Sequence, residues 1–278
     1  MRPEFDIFRH QEAEYKLNKK VLDSDDPQGP ILAEQQDFET DLTEQGQEHA
    51  REQAAAFFQR FDPNADAFFV ASSDLVRAAE TAKIYVDVAE ELGFEIISPE
   101  NPHSATVEHV GAGKVKHLET LSLNIDNALI DQLFDPNTDF LKRAQDRGVT
   151  FDEGFVQRWQ AARKIIEQDN KGSWSENLRY HGDTVAEILP EIGEMSKTYD
   201  RKFQNLVRLM KFGDTKISGS GYAKRVNVLA FTHENLFTRW LAKEMNEHGL
   251  ELGEMISFRF DPSDMLHATV RDKSVVVD

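Results

Sequence analysis

The chain has no cysteine among its 278 residues. That removes disulfides, thiolate metal sites and a cysteine nucleophile from consideration, and it suits a cytoplasmic protein. Long apolar runs are missing too, since no stretch approaches the roughly 20 residues of a membrane span. The opening MRPEFDIFRH carries no basic region followed by an apolar core, so no secretory signal is expected. Positive charge is scarce: 32 Lys and Arg stand against 50 Asp and Glu, a formal net charge of −18. Such a field repels phosphate backbones, and no Lys/Arg-rich patch interrupts it, which argues against a nucleic-acid partner. Internal repeats and low-complexity tracts are absent. What remains is 40% hydrophobic and long enough for one large α/β domain or two small ones. An anion site in so acidic a chain has to gather its few arginines into one pocket.

Hydrophobic patterning predicts strands at 5–8, 67–71, 94–97 and 226–231, then three short ones at 256–260, 266–270 and 274–277. Helical spacing fills 43–60, with Thr43 and Glu44 as capping groups at its mouth, and 74–92, which Gly93 ends. Between residues 98 and about 180 the pattern turns to loops and helices without clear strands, the best helix being 152–168. This region reads as an insertion or cap over the sheet. A long helical run at 184–212 is interrupted by Pro190, and the Gly/Ser-rich stretch 214–224 reads as a loop. A helix at 235–247 follows the fourth strand. Strand-helix alternation of this kind predicts a three-layer α/β/α sandwich with a mostly parallel sheet and a helical insertion. The whole of 1–278 reads as one domain.

Three predicted strands end in groups suited to chemistry: Phe8-Arg9-His10, Ala71-Ser72-Ser73-Asp74 with Arg77 beyond, and Phe231-Thr232-His233. Ligands of open α/β sheets sit outside the carboxyl ends of the strands, so these groups point to one crevice. Helix N-termini opening near Asp74 and Glu234 would add oriented N–H donors for an anion. Two histidines and two arginines at one edge suit phosphoryl transfer.

On these residues the chain resembles the histidine phosphatase (phosphoglycerate mutase-like) superfamily. The family's Arg-His-Gly motif is matched by Arg9-His10-Gln11, and its Leu-Thr-Glu-x-Gly helix entry by Leu42-Thr43-Glu44-Gln45-Gly46. The segment Ser-Ser-x-Leu-x-Arg-Ala-x-x-Thr-Ala is matched without a break from Ser72 to Ala82, and the second-histidine strand by Leu229-Ala-Phe-Thr-His233. The resemblance implies a two-step displacement on a small-molecule phosphomonoester, with His10 as nucleophile. It makes Arg9, Arg77 and His233 the phosphate ligands, with Lys16 or Asn18 where many members carry a phosphate-binding asparagine. Neither metal nor cofactor is implied. The acid that protonates the leaving oxygen is, in mutase-like members, a glutamate after the third strand: Glu108 is the nearest candidate, with Glu119 behind it. In the acid-phosphatase branch it directly follows the second histidine, where Glu234 stands. A carboxylate at a helix mouth beside two arginines would be held ionised, which favours Glu108.

Two departures from the family pattern stand out. Gln11 and Glu234 replace motif glycines, and a side chain there can crowd backbone that approaches the phosphate. Blander readings compete as well. Arg77 has Glu80 and Asp74 as partners on its own helix, and either histidine can simply be satisfied by a carbonyl. His103, His109 and His117 share no helical face, so they read as loop histidines rather than zinc ligands. The mutase motif around the acid is echoed only faintly at residues 107–111, so hydrolysis is expected ahead of phosphoryl transfer to an alcohol. A degenerate member that binds phosphorylated or protein ligands without turnover is the other class of answer.

Overall fold

The computed structural model describes residues 2–14, 41–100, 102, 104–122, 154–169, 184, 187–247 and 249–277. The described residues form one eight-stranded sheet. Its strands are β1 (Glu4–Arg9), β2 (Asp66–Ser72), β3 (Glu95–Ile96), β4 (Val115–His117), β5 (Arg225–Thr232), β6 (Met255–Phe260), β7 (Leu266–Val270) and β8 (Lys273–Val277). They lie in the order β3-β2-β5-β1-β6-β7-β8, with β4 pairing β2 beyond the short β3.

The sheet is mixed, so the mostly parallel one expected is borne out only in part. β2 pairs β3, β4 and β5 in parallel and β5 pairs β1 in parallel, whereas β1–β6, β6–β7 and β7–β8 are antiparallel. The reason lies in the connections: residues 261–265 and 271–272 are too short for a crossover, so successive strands there can only fold back as hairpins. A second correction concerns the expected insertion, because β4 falls inside 98–180. Three residues with Lys116 and His117 among them give no periodicity to read, and the pairing of Val70 with Val115 and Ser72 with His117 makes the strand.

Helices cover both faces. On one side lie α1 (Glu44–Phe58) and α2 (Val76–Glu91), packed over Phe8, Phe68, Val70, Leu229 and Phe231. Alanines 78, 79, 82 and 89 on α2 are wholly buried, and such short side chains let the helix lie close on the sheet. On the other side α5 (Pro190–Ser218) sets Phe203, Leu206, Val207 and Met210 against Phe5, Ile7 and Ala230. That spacing of three, one and three residues is one face of an α-helix. Pro190 opens α5 at its first turn, where its missing N–H costs nothing, rather than interrupting it. Nor does Gly213 end the helix: it faces Phe5, at 3.4 Å from where a Cβ would stand, and α5 runs on to Ser218 through the expected loop. Two shorter helices, α3 (Ala105–His109) and α4 (Phe155–Asp169), fall within the predicted insertion. After β5 the expected helix is a succession of tight and wide turns: a 3₁₀ turn (Glu234–Leu236), α6 (Thr238–Trp240) and a π turn (Leu241–Met245) closed by Asn246 at φ 53°.

Candidate active site

Alternation along the strands decides which groups reach the crevice. Register sets Arg9 beside Thr232 and Ser72 beside Phe231, so the residues that follow, His10, His233 and Ser73, emerge together at the carboxyl edge. Backbone bonds hold them there: His10 N–H to Thr232 O at 2.9 Å, and Ser73 N–H to Phe231 O at 2.9 Å. The two imidazole rings lie 5.0 Å apart, centroid to centroid.

His10 is 3% exposed, and its hydrogen bonds fix its tautomer. Nδ1 lies 2.6 Å from the Gln11 carbonyl, which can only accept, so Nδ1 carries the proton. The lone pair is therefore on Nε2, where the Arg77 Nε–H donates to it at 3.2 Å. His233 Nε2 lies 2.8 Å from Ser73 Oγ, while its Nδ1 is buried with no hydrogen-bond partner. Burial first, and the Arg77 guanidinium second, hold both imidazoles well below the usual histidine pKa. Both rings are neutral at pH 7, and His10 Nε2 is free of a proton.

Arg77 is itself buried at 3% exposure, with its Nε turned to His10 rather than out along its own helix toward solvent. Thr81, one turn on, ties α2 to the nucleophile loop: its Oγ1 donates to the Arg77 carbonyl at 2.7 Å and accepts from Gln11 N–H at 3.3 Å. Arg9 reaches the Leu250 carbonyl and forms an ion pair with Glu234 at 3.0 Å. Glu234 thus faces the Arg9 guanidinium.

Gln11 does not crowd the crevice. Its side-chain amide donates to Gln53 on α1 at 2.6 Å, over Gly253. A Cβ on Gly253 would stand 2.1 Å from the Gln11 amide nitrogen, and its φ of +74° suits glycine in any case. Gly46 answers the same need at the mouth of α1, where a Cβ would meet the Glu12 carbonyl at 2.2 Å. Thr43 caps this helix as expected, its Oγ1 accepting from Gly46 N–H at 2.9 Å.

The candidate acids separate by topology. Glu108 is exposed on α3, whose Val107 packs under α2, and it precedes β4. The carboxyl end of β4 lies level with Ser72, so the residues after it reach the crevice. Glu119 is two residues past that end, at the start of a 3₁₀ turn. Lys16 and Asn18 lie outside the described residues. One residue escaped sequence reasoning: Lys202 of α5 donates through Nζ to the Ser122 carbonyl, and its own carbonyl accepts from Thr120 Oγ1 at 3.0 Å. Its charge acts on His233, Asp74 and Glu119, and burial pulls its pKa below the usual lysine range.

The neutral histidine pair has a consequence for stability. In the unfolded chain both take up a proton near pH 6.5, in the fold only far below it, so stability is present above about pH 6.5 and lost as pH falls beneath it. Buried Asp6 opposes this: burial raises its pKa to about 6, against a lowering hydrogen bond from Ser257, and its cost shrinks on acidification. Between about pH 7.5 and 5.5 the histidines' contribution falls, and Asp6 offsets part of the loss. We expect the urea midpoint to fall over this interval and the fall to lessen in His10→Asn and His233→Asn. A midpoint that rises on acidification contradicts the assignment.

Among the described residues no helix is long and apolar enough to cross a membrane, and no group of three or more His, Asp or Glu is placed to hold a metal ion. Residues 8–100 match the family model "Histidine phosphatase superfamily (branch 1)". No curated protein matches the chain. Solved structures similar to it include a phosphoglycerate mutase from Bacillus anthracis str. Sterne, at 15% identity over 98% of this chain and 92% of that one, with a TM-score of 0.43. A mycobacterial glucosyl-3-phosphoglycerate phosphatase is similar at 15% identity over 99% and 100%, with a TM-score of 0.42. Bacillus stearothermophilus YhfR is similar at 13% identity over 98% of each chain, with a TM-score of 0.44.

Proposed function

We propose that this chain, which over residues 8–100 belongs to the histidine phosphatase superfamily (branch 1), hydrolyses a phosphomonoester through a phosphohistidine on His10. The observation that carries the reading is the fixed tautomer of His10, a neutral ring with its Nε2 lone pair facing the Arg77 guanidinium. Nε2 attacks phosphorus, the P–N bond forms and the P–O ester bond breaks. Arg77, Arg9 and the neutral His233 hold the phosphoryl oxygens as charge grows on them, with arginine suited by its planar, permanently charged fork. Water then attacks the phosphohistidine, releasing phosphate and restoring His10.

The ester oxygen needs a proton as it leaves. We assign that role to Glu119 in place of Glu108, because the acid must stand past the carboxyl end of β4, and Glu119 does. Glu234 is committed to Arg9. Glu119→Gln is expected to slow an alkyl phosphate at least about tenfold more than a nitrophenyl phosphate, whose leaving group needs little protonation. If Glu108→Gln or Glu234→Gln gives that signature and Glu119→Gln does not, the assignment fails.

The Arg9–Glu234 ion pair favours a second reading, a member that binds phosphorylated ligands without turnover, since a carboxylate already occupies one guanidinium. Release of inorganic phosphate from a panel of phosphomonoesters separates the two, and transfer to an added alcohol instead of water would mark a mutase. Our reading takes the chain as a single domain acting on a small molecule in the cytoplasm.

A further inference from the structure

On the face of the sheet opposite α1 and α2, α5 leaves part of the strands uncovered. Register sets Phe5, Val228 and Phe69 in one row across β1, β5 and β2. The row is unevenly roofed: Phe5 is buried beneath α5, whereas Val228 and Phe69 are only half-buried. Between this row and the C-terminal half of α5 is an open cavity of about 490 Å³, with Ile97 and Leu118 also in its wall. It is separate from the phosphate crevice, since none of His10, Arg77 and His233 lines it.

Two properties of the wall together select a ligand. The first is that it is apolar almost throughout, and apolar groups held open to water are costly: Leu209 and Tyr222 in this wall are each 45% exposed. A concave space of this volume with such walls has the size and character of a small-molecule site. The second property is the sign of its charge. Lys216 is the one charged residue in the wall, in a chain with 50 acidic residues against 32 basic ones. Its ammonium lies 5.5 Å from the centroid of the Phe212 ring, and among the described residues no carboxylate is paired with it. Glu95, which accepts from the Tyr222 hydroxyl, is outside the wall and pairs with Lys224 at 3.4 Å. The Ser220 hydroxyl is already donated to the Ile217 carbonyl.

We propose that this cavity binds an amphiphile with a hydrocarbon body and one anionic head, an aliphatic carboxylate of medium chain length, its head at Lys216 and its chain against Val228 and Phe69. A polar body would lose its water to walls that offer it no hydrogen bonds. A phosphate dianion would find one ammonium and no guanidinium fork, so a singly charged head suits the site better. Such a site stands whether or not His10 carries a phosphoryl group.

Calorimetric titration with octanoate, decanoate and octanol tests this. Two further methylenes buried should make decanoate bind about tenfold more tightly than octanoate. Octanoate should bind severalfold more tightly than octanol, and Lys216→Gln should erase that preference while leaving octanol unchanged. Ile217→Trp, which fills the cavity from α5, should weaken both by at least about tenfold. Should that variant fail to fold, Lys216→Gln, at an exposed position, still decides the matter. Saturating inorganic phosphate should leave octanoate binding unchanged. Absence of binding, equal affinity for octanoate and octanol, or displacement by phosphate, which would place the carboxylate at the histidines, overturns the proposal. So does a dimer in sedimentation equilibrium that Ile217→Trp separates, because a second copy of the chain would then fill the cavity.

Discussion

His10→Ala is expected to remove turnover of any phosphomonoester by on the order of 10⁴-fold or more, because in the proposed mechanism the ring supplies the attacking lone pair. Rapid quench of the unaltered protein with a labelled ester should trap an adduct that acid destroys and alkali spares, as a phosphorus–nitrogen bond behaves, and the label should map to residue 10. The fixed tautomer sharpens this expectation. Since Nδ1 bonds the Gln11 carbonyl, the phosphoryl group should be found on Nε2. His10→Ala protein that turns over at the original rate, or label carried elsewhere, contradicts the mechanism outright.

Arg77→Ala should lower kcat/KM by roughly 10²- to 10³-fold, equivalent to about 3–4 kcal/mol, because its donors face charge that increases toward the transition state. Its burial adds a structural effect that a strand-end charge would not have. A guanidinium 3% exposed, bonded to His10 and set in α2 between Val76 and Ala78, leaves a void when removed. The melting temperature should fall together with activity, so the two need separating. Arg77→Lys keeps charge and loses the planar fork, and should restore stability more fully than kcat/KM. A change in kcat/KM smaller than a few-fold in folded Arg77→Ala protein would place the residue outside the chemistry. In the same variant the pKa of His10 should rise, since after burial the Arg77 guanidinium is the largest of the causes that hold it down.

The parts of the fold that were legible in the sequence are those where burial writes a continuous apolar run. Residues 226–231 and 67–71 are sandwiched between helices on both faces, so, Asn227 aside, both alternating sets of side chains are apolar and the strand is plain. The same strands end beside His10, His233 and Arg77, which is why the sequence could group these residues at one sheet edge. The shorter β4 leaves no such trace, so the sequence does not show that Glu119, rather than Glu108, follows the carboxyl end of a strand in the sheet. Lys202 was out of reach for another reason. On α5 it is one cation among several on an amphipathic helix, and only the return of that helix past Ser122 and His233 distinguishes it. The loss of the glycine at position 11 looked like a threat to activity, since sequence cannot say where a glutamine will point.

That glutamine and Gly253 interlock, and the consequence reaches beyond the chemistry. The amide of Gln11 fills the space that a side chain at 253 would need, so substitutions at the two sites are not independent. Restoring the motif glycine at position 11 alone would empty the buried volume that Gln11 fills and remove its hydrogen bond to Gln53. Any change at 253 would evict the amide and leave a strained backbone behind. Substitutions at these two sites, 242 residues apart in sequence, should therefore have non-additive effects on stability.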